Sequence, residues 1–195
     1  MLDNAQQVSL EEKRITRYKV AVPLLILGMV SIFMVFAAFT SAYIVRQADA
    51  NWLTFDMPTP FFISTLIIVL SSITLYYSNS GVKNNNFNRI KQGLLATIIL
   101  GFGFVISQVY TYDYMMDQGL YFVGTNVSSS FMYIITGAHL VHIVSGMIAL
   151  FVSYYKATKN KYTSEEHLGL RLTSLYWHFL DALWIFLLLF LLFIR

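Results

Sequence analysis

Five apolar runs, at about 20–45, 60–77, 93–112, 131–155 and 172–194, set the terms on which this chain can fold. A hydrocarbon core roughly 30 Å thick is crossed by about 20 apolar residues in a helix, so each run is long enough to span. Inside lipid every backbone N–H and C=O must be satisfied within its own segment, which makes each such run a helix. The expected fold is therefore all-α: an integral membrane bundle of five transmembrane helices within residues 20–195, preceded by a polar segment, 1–19. Composition agrees, with 57% hydrophobic and 12% charged residues, outside the range of ordinary soluble domains.

Cysteine is absent, which excludes disulfides, iron-sulfur clusters and thiolate metal sites. A formal charge of +3 is small, and its distribution does not suggest a nucleic-acid partner. The start, MLDNAQQVSLEEKRITRYK, is polar and the apolar run after it is too long for a signal-peptide core, so the N-terminus is expected to stay in the cytoplasm. Ser9-Leu10-Glu11-Glu12 fits a capping box that would open a short helix at Leu10, and Thr163-Ser164-Glu165-Glu166 fits another before the last span. Thr59-Pro60 suits the first turn of the second span. Asn126-Val127-Ser128 matches the short glycosylation pattern, a weak signal beside a span.

Loop charges alternate. Lys13, Arg14, Arg17 and Lys19 precede the first span; Arg46 stands against Asp49 and Asp56 in the first loop. The second loop carries Lys83, Arg89 and Lys91, the third Asp113 and Asp117, the fourth Lys156, Lys159, Lys161 and Arg171. Because Lys and Arg collect on the cytoplasmic side, the N-terminus is expected inside and the C-terminus outside. In the first span Gly28, Ser31, Ala38 and Ala42 fall on one stripe; small residues permit close helix approach, so this stripe is expected to be a packing seam.

The fifth run holds a charge. On a helix, Trp177, Asp181, Trp184 and Leu188 share a narrow face with His178 beside it. A carboxylate in a bilayer costs at least ~2.5 kcal/mol, so Asp181 must point at protein, pair or stay protonated. The bland reading is a hydrogen-bonded anchor and the sharper one a proton relay. On the fourth span Met132, Thr136, His139, His142 and Gly146 share a face, so His139, His142, His178 and Asp181 are expected to form a polar seam between the fourth and fifth helices. Haem would need axial ligands from facing helices at matched depth, which this set does not supply. No catalytic, cofactor-binding or metal-ligating residue is therefore assigned. A small transporter or channel would need a charged pore face, of which Asp181 alone is present.

Two stretches carry a family resemblance. Tyr176-Trp177-His178-Phe179-Leu180-Asp181-Ala182-Leu183-Trp184, preceded by Thr136-Gly137-Ala138-His139-Leu140-Val141-His142-Ile143-Val144-Ser145-Gly146, closely resembles subunit III of haem-copper oxidases. Phe36-Ala37-Ala38-Phe39-Thr40-Ser41-Ala42-Tyr43-Ile44-Val45-Arg46 and Ser71-Ser72-Ile73-Thr74 extend the likeness across nearly all of the chain after residue 20. The family has seven-helix and five-helix forms, and the chain looks like the short bacterial one. The resemblance implies a subunit of a proton-pumping terminal oxidase in the bacterial inner membrane. It would be packed against catalytic subunit I, with subunit II in the same complex. Haem and copper would belong to those partners and none to this chain, whose expected roles are stabilisation, holding structural phospholipid and supporting proton uptake. A quinol oxidase or a nitric oxide reductase would use a similar component. Many relatives carry a buried Glu in the first of these spans where this chain reads Ser31-Ile32-Phe33-Met34, so a role built on that carboxylate is absent here.

Overall fold

The computed structural model describes residues 4–48, 52, 56–83, 86–123, 126–160, 162 and 167–194. Its five helices are α1 (Asn4–Arg46), α2 (Pro60–Lys83), α3 (Phe87–Asp117), α4 (Val127–Thr158) and α5 (Leu168–Phe193), and no strand occurs among the described residues. Each helix contains a stretch long and apolar enough to cross a membrane. The helices run on past the apolar stretches because hydrogen bonding between neighbouring turns does not stop where the side chains become polar.

Their starts test the capping signals. α1 is already helical at Asn4, so Ser9 lies inside it and does not open it. The Thr163–Glu166 capping box lies outside the described residues, and His167 at the N-cap of α5 makes no side-chain capping bond. Asparagine caps two helices instead. Asn86 Oδ1 accepts the Arg89 backbone N–H at 3.1 Å. Asn126 Oδ1 accepts from the Ser128 N–H at 3.1 Å and from the Ser128 hydroxyl at 2.7 Å, so the Asn-Val-Ser triplet is a helix start here. Both bonds satisfy donors that a first turn would otherwise leave open.

Packing follows a ring. α2 lies along α3, α3 against α4, α4 against α5, and α5 closes back onto α2, while α1 rests outside in the groove between α4 and α5. α5 is accordingly the most enclosed helix and α1 the least. The largest fully buried side chains are Trp177, Trp184, Phe36, Phe61 and Phe104.

Close approach in the ring depends on glycine at α2–α3 and α4–α5. A Cβ on Gly93 would lie 2.6 Å from Ser78 Cβ and 2.8 Å from Ser78 Cα and N, and one on Gly146 would meet Trp177 at 3.1 Å and Leu180 at 3.0 Å. The seam expected on α1 is a different matter. Gly28, Ser31, Ala38 and Ala42 are all exposed, and a Cβ on Gly28 would meet nothing within 4 Å. α1 meets the bundle through Met29, Phe36, Thr40 and Tyr43, which are buried. Large side chains fill the broad groove between two helices, a space that small ones would leave open. α1 is further held by Tyr18, edge-on to His167 at 6.3 Å between ring centroids, and just past its C-terminus by Gln47 Nε2 donating to the Ile194 carbonyl at 2.9 Å.

Candidate functional site: the polar ladder between α2 and α5

α2 carries paired polar residues seven apart: Ser64-Thr65, Ser71-Ser72 and Ser78-Asn79. A seven-residue repeat returns to the same side of a supercoiled helix, so each pair faces the same neighbours. The second member of every pair reaches α5. Thr65 Oγ1 accepts the Trp184 indole N–H at 3.0 Å, Ser72 meets His178 and Asp181, and Asn79 Nδ2 donates to Ser174 Oγ at 2.6 Å. Ser71 Oγ accepts from the Trp177 indole at 2.9 Å. Toward α3, Ser64 bonds Ser107 at 2.9 Å, Thr74 bonds Thr97 at 2.8 Å, and Ser78 donates to the Ile90 carbonyl at 3.0 Å.

At the centre of the ladder Ser72 serves two partners. Its hydroxyl donates to Asp181 Oδ2 and lies 2.8 Å from His178 Nδ1. A hydroxyl has one proton, so while Ser72 donates to Asp181 it must accept from an Nδ1–H on His178. The reverse order, with Asp181 donating to Ser72 and Ser72 to His178, uses the same atoms, and an internal proton shift links the two only between an imidazolium with a carboxylate and a neutral imidazole with a carboxylic acid. Continuation is what a relay would further require. The next rung on that side, Thr65, is seven residues away, about 10 Å along the helix, and Ile68 between them is fully buried. Asp181 Oδ1 has no partner among the described residues. The geometry is that of a crosslink.

The expected seam between α4 and α5 is thus divided. Asp181 and His178 bond to α2, not to His139 or His142. His142 Nδ1 lies 2.7 Å from its own helix's Ala138 carbonyl, and the ring packs edge-on to Phe36 at 5.5 Å. His139 is fully buried beside Trp184, Phe104 and Phe36, at 5.2, 6.2 and 6.2 Å between centroids. α4 and α5 are joined by other pairs, Ser153 with Thr173 at 2.8 Å and Ser145 with Tyr176 at 2.7 Å. On α3, Ser107 bonds across to α2 while Gln108 finds no partner among the described residues. Among the described residues no three His, Asp or Glu side chains are grouped as metal ligands would be. The residues overlooked in the sequence are the α2 hydroxyls, and their seven-residue spacing was the signal that marked them.

Comparison with known proteins bears on the same stretches. Residues 15–194 match the family cytochrome c oxidase subunit III. The chain is 36% identical over 138 residues to a probable cytochrome c oxidase subunit 3 of Rickettsia prowazekii, covering 68% of this chain and 46% of that one. It is 30% identical over 125 residues to cytochrome c oxidase subunit 3 of Spodoptera frugiperda, covering 64% and 82%. A probable cytochrome c oxidase subunit 3 of Rickettsia felis matches at 35% over 138 residues, 68% and 46%. The chain spans about half the length of both rickettsial relatives. With the family matched from before the first apolar run to the last residue of α5's C-cap, and the ladder of α5 within that match, this multi-pass membrane chain belongs to the cytochrome c oxidase subunit III family.

Proposed function

We propose that the chain is a subunit without a redox centre of its own in a respiratory haem-copper oxidase of a bacterial inner membrane, seated on catalytic subunit I with subunit II in the same complex. In this reading it stabilises the catalytic subunit and supports proton uptake during reduction of oxygen to water, with haem and copper carried by its partners and phospholipid held at its surface. One observation carries the proposal. The polar side chains of α2 and α5 are spent on joining the bundle to itself, while α1 turns Gly28, Ser31, Ala38 and Ala42 outward. Small residues at a helix surface allow another membrane helix to approach closely, a benefit that lipid does not need. Purifying the tagged full chain and identifying the haems and subunits that accompany it tests the assignment. Copper in subunit II and turnover of cytochrome c are expected; quinol turnover or a nitric oxide reductase would replace it with a sister enzyme.

Orientation belongs to the same proposal. Lys13, Arg14, Arg17 and Lys19 ahead of the first apolar run, Lys83, Arg89 and Lys91 around the turn from α2 to α3, and Lys156, Lys159, Lys161 and Arg171 around the connection from α4 to α5 favour a cytoplasmic N-terminus. Asn88 and Asp117, exposed at opposite ends of α3, make the measurement direct. In intact cells Asn88→Cys should be shielded from an impermeant thiol reagent and Asp117→Cys should react; the opposite pattern reverses the topology.

Loss of the subunit is expected to leave the haem and copper spectrum of the remaining enzyme largely intact while proton uptake slows or turnover becomes short-lived. Disappearance of a haem band from a complex that retains subunits I and II would show that this chain contributes a ligand.

A further inference from the structure

Polar side chains enclosed in a membrane bundle nearly always find a partner, because neither lipid nor bulk water can supply one. Two neighbouring side chains depart from this where α3, α4 and α5 meet. Gln108 is 1% exposed and His139 0%, and among the described residues both polar atoms of the amide and both ring nitrogens lack a hydrogen-bond partner.

Contacts on either side fix their placement. Phe104, one turn before Gln108, packs edge-on to His139 at 6.2 Å between centroids. Tyr112, one turn after Gln108, donates to Thr136 Oγ1 at 3.1 Å, and Thr136 lies one turn before His139. Since α3 and α4 run antiparallel, stepping back a turn from Tyr112 and forward a turn from Thr136 sets Gln108 opposite His139. The surrounding walls are aromatic. Trp184 stacks on His139 at 5.2 Å but commits its N–H to Thr65, and Phe36 closes the side toward α1.

We propose that Gln108 and His139 hold an ordered water molecule between them, an internal hydration site in the core of the bundle. A neutral imidazole offers one donor and one acceptor, and the amide offers two donors and a carbonyl. Water, with two of each, meets both residues at once, and buried waters typically make about three such bonds. A direct bond between the two side chains would match one polar atom of each and leave the other two without a partner, with no third bond of the kind a water adds. The site depends on this chain's own core and not on the identity of its partner subunits.

The test uses the full chain, purified with whatever subunits accompany it. A cryo-EM map that resolves ordered water should show one density within hydrogen-bond distance of both side chains. A map with the two side chains bonded directly, or with none between them, overturns the proposal. A mutant cycle of Gln108→Leu, His139→Phe and the double variant gives the second reading, by thermal dissociation temperature. Each single change removes one side of the shared water, so both should lower that temperature and the double should be no worse than the poorer single. Losses that add overturn the proposal. If His139→Phe fails to assemble, His139→Asn replaces it in the map: it retains a donor and an acceptor and should keep the density, and loss of the density with assembly intact counts against the site.

Discussion

Gly93→Ala is expected to destabilise this chain more than any other single added methyl group. The new Cβ would lie 2.6–2.8 Å from the Ser78 side chain and backbone, so α2 and α3 would have to separate. Overpacking of this kind typically costs about 1–3 kcal/mol, and here it would also stretch the neighbouring Ser78 bond to the Ile90 carbonyl and the Thr74–Thr97 bond. Thermal unfolding of the purified full chain measures it. Gly28→Ala is the control, with open space around the added methyl, and its midpoint should match the parent. Gly28→Leu separates folding from assembly: the chain's own midpoint should hold while retention in the oxidase falls, if the outward stripe of α1 is the partner face. Equal destabilisation by the two alanine substitutions would show that the tight α2–α3 approach is not a limiting contact.

Asp181 is the second. Interhelical hydrogen bonds in membranes contribute about 0.6 kcal/mol on average and up to ~1.7, so the bond to Ser72 alone is a modest link. Asp181→Leu removes it and leaves Ser72 with His178 as its one partner on α5, so the Ser72 proton must turn to Nδ1 or go unmatched, in a site where an unsatisfied polar group costs about 1–3 kcal/mol. Poor assembly is the expected result, with Asp181→Asn retaining shape and hydrogen-bonding capacity and assembling nearly as the parent does. Ser72→Ala should resemble Asp181→Leu in direction, since it strands both His178 and Asp181. Proton uptake discriminates the two roles of the carboxyl. If Asp181→Asn assembles fully yet takes up protons as poorly as the enzyme lacking the subunit, the carboxyl passes protons and the crosslink is secondary. Normal uptake by an assembled Asp181→Asn enzyme leaves it as an anchor.

Apolar length was enough to establish five spanning helices, because in lipid the backbone has few alternatives to bonding within its own segment. Helical periodicity also established which residues share a face, including the grouping of Trp177, Asp181 and Trp184, all buried on α5. Which neighbour meets that face was beyond its reach. A face is a direction around one axis, and it was the ring order of α2, α3, α4 and α5 that turned Asp181 toward Ser72 and left His139 among aromatic rings. The same limit explains α1. Lipid tails are as apolar as Leu, so no hydrophobic gradient tells a helix which side to bury; Gly28 and Phe36 are equally plausible contacts in one dimension. The width of the groove between α4 and α5 selected Phe36, and Gly28 was left facing out.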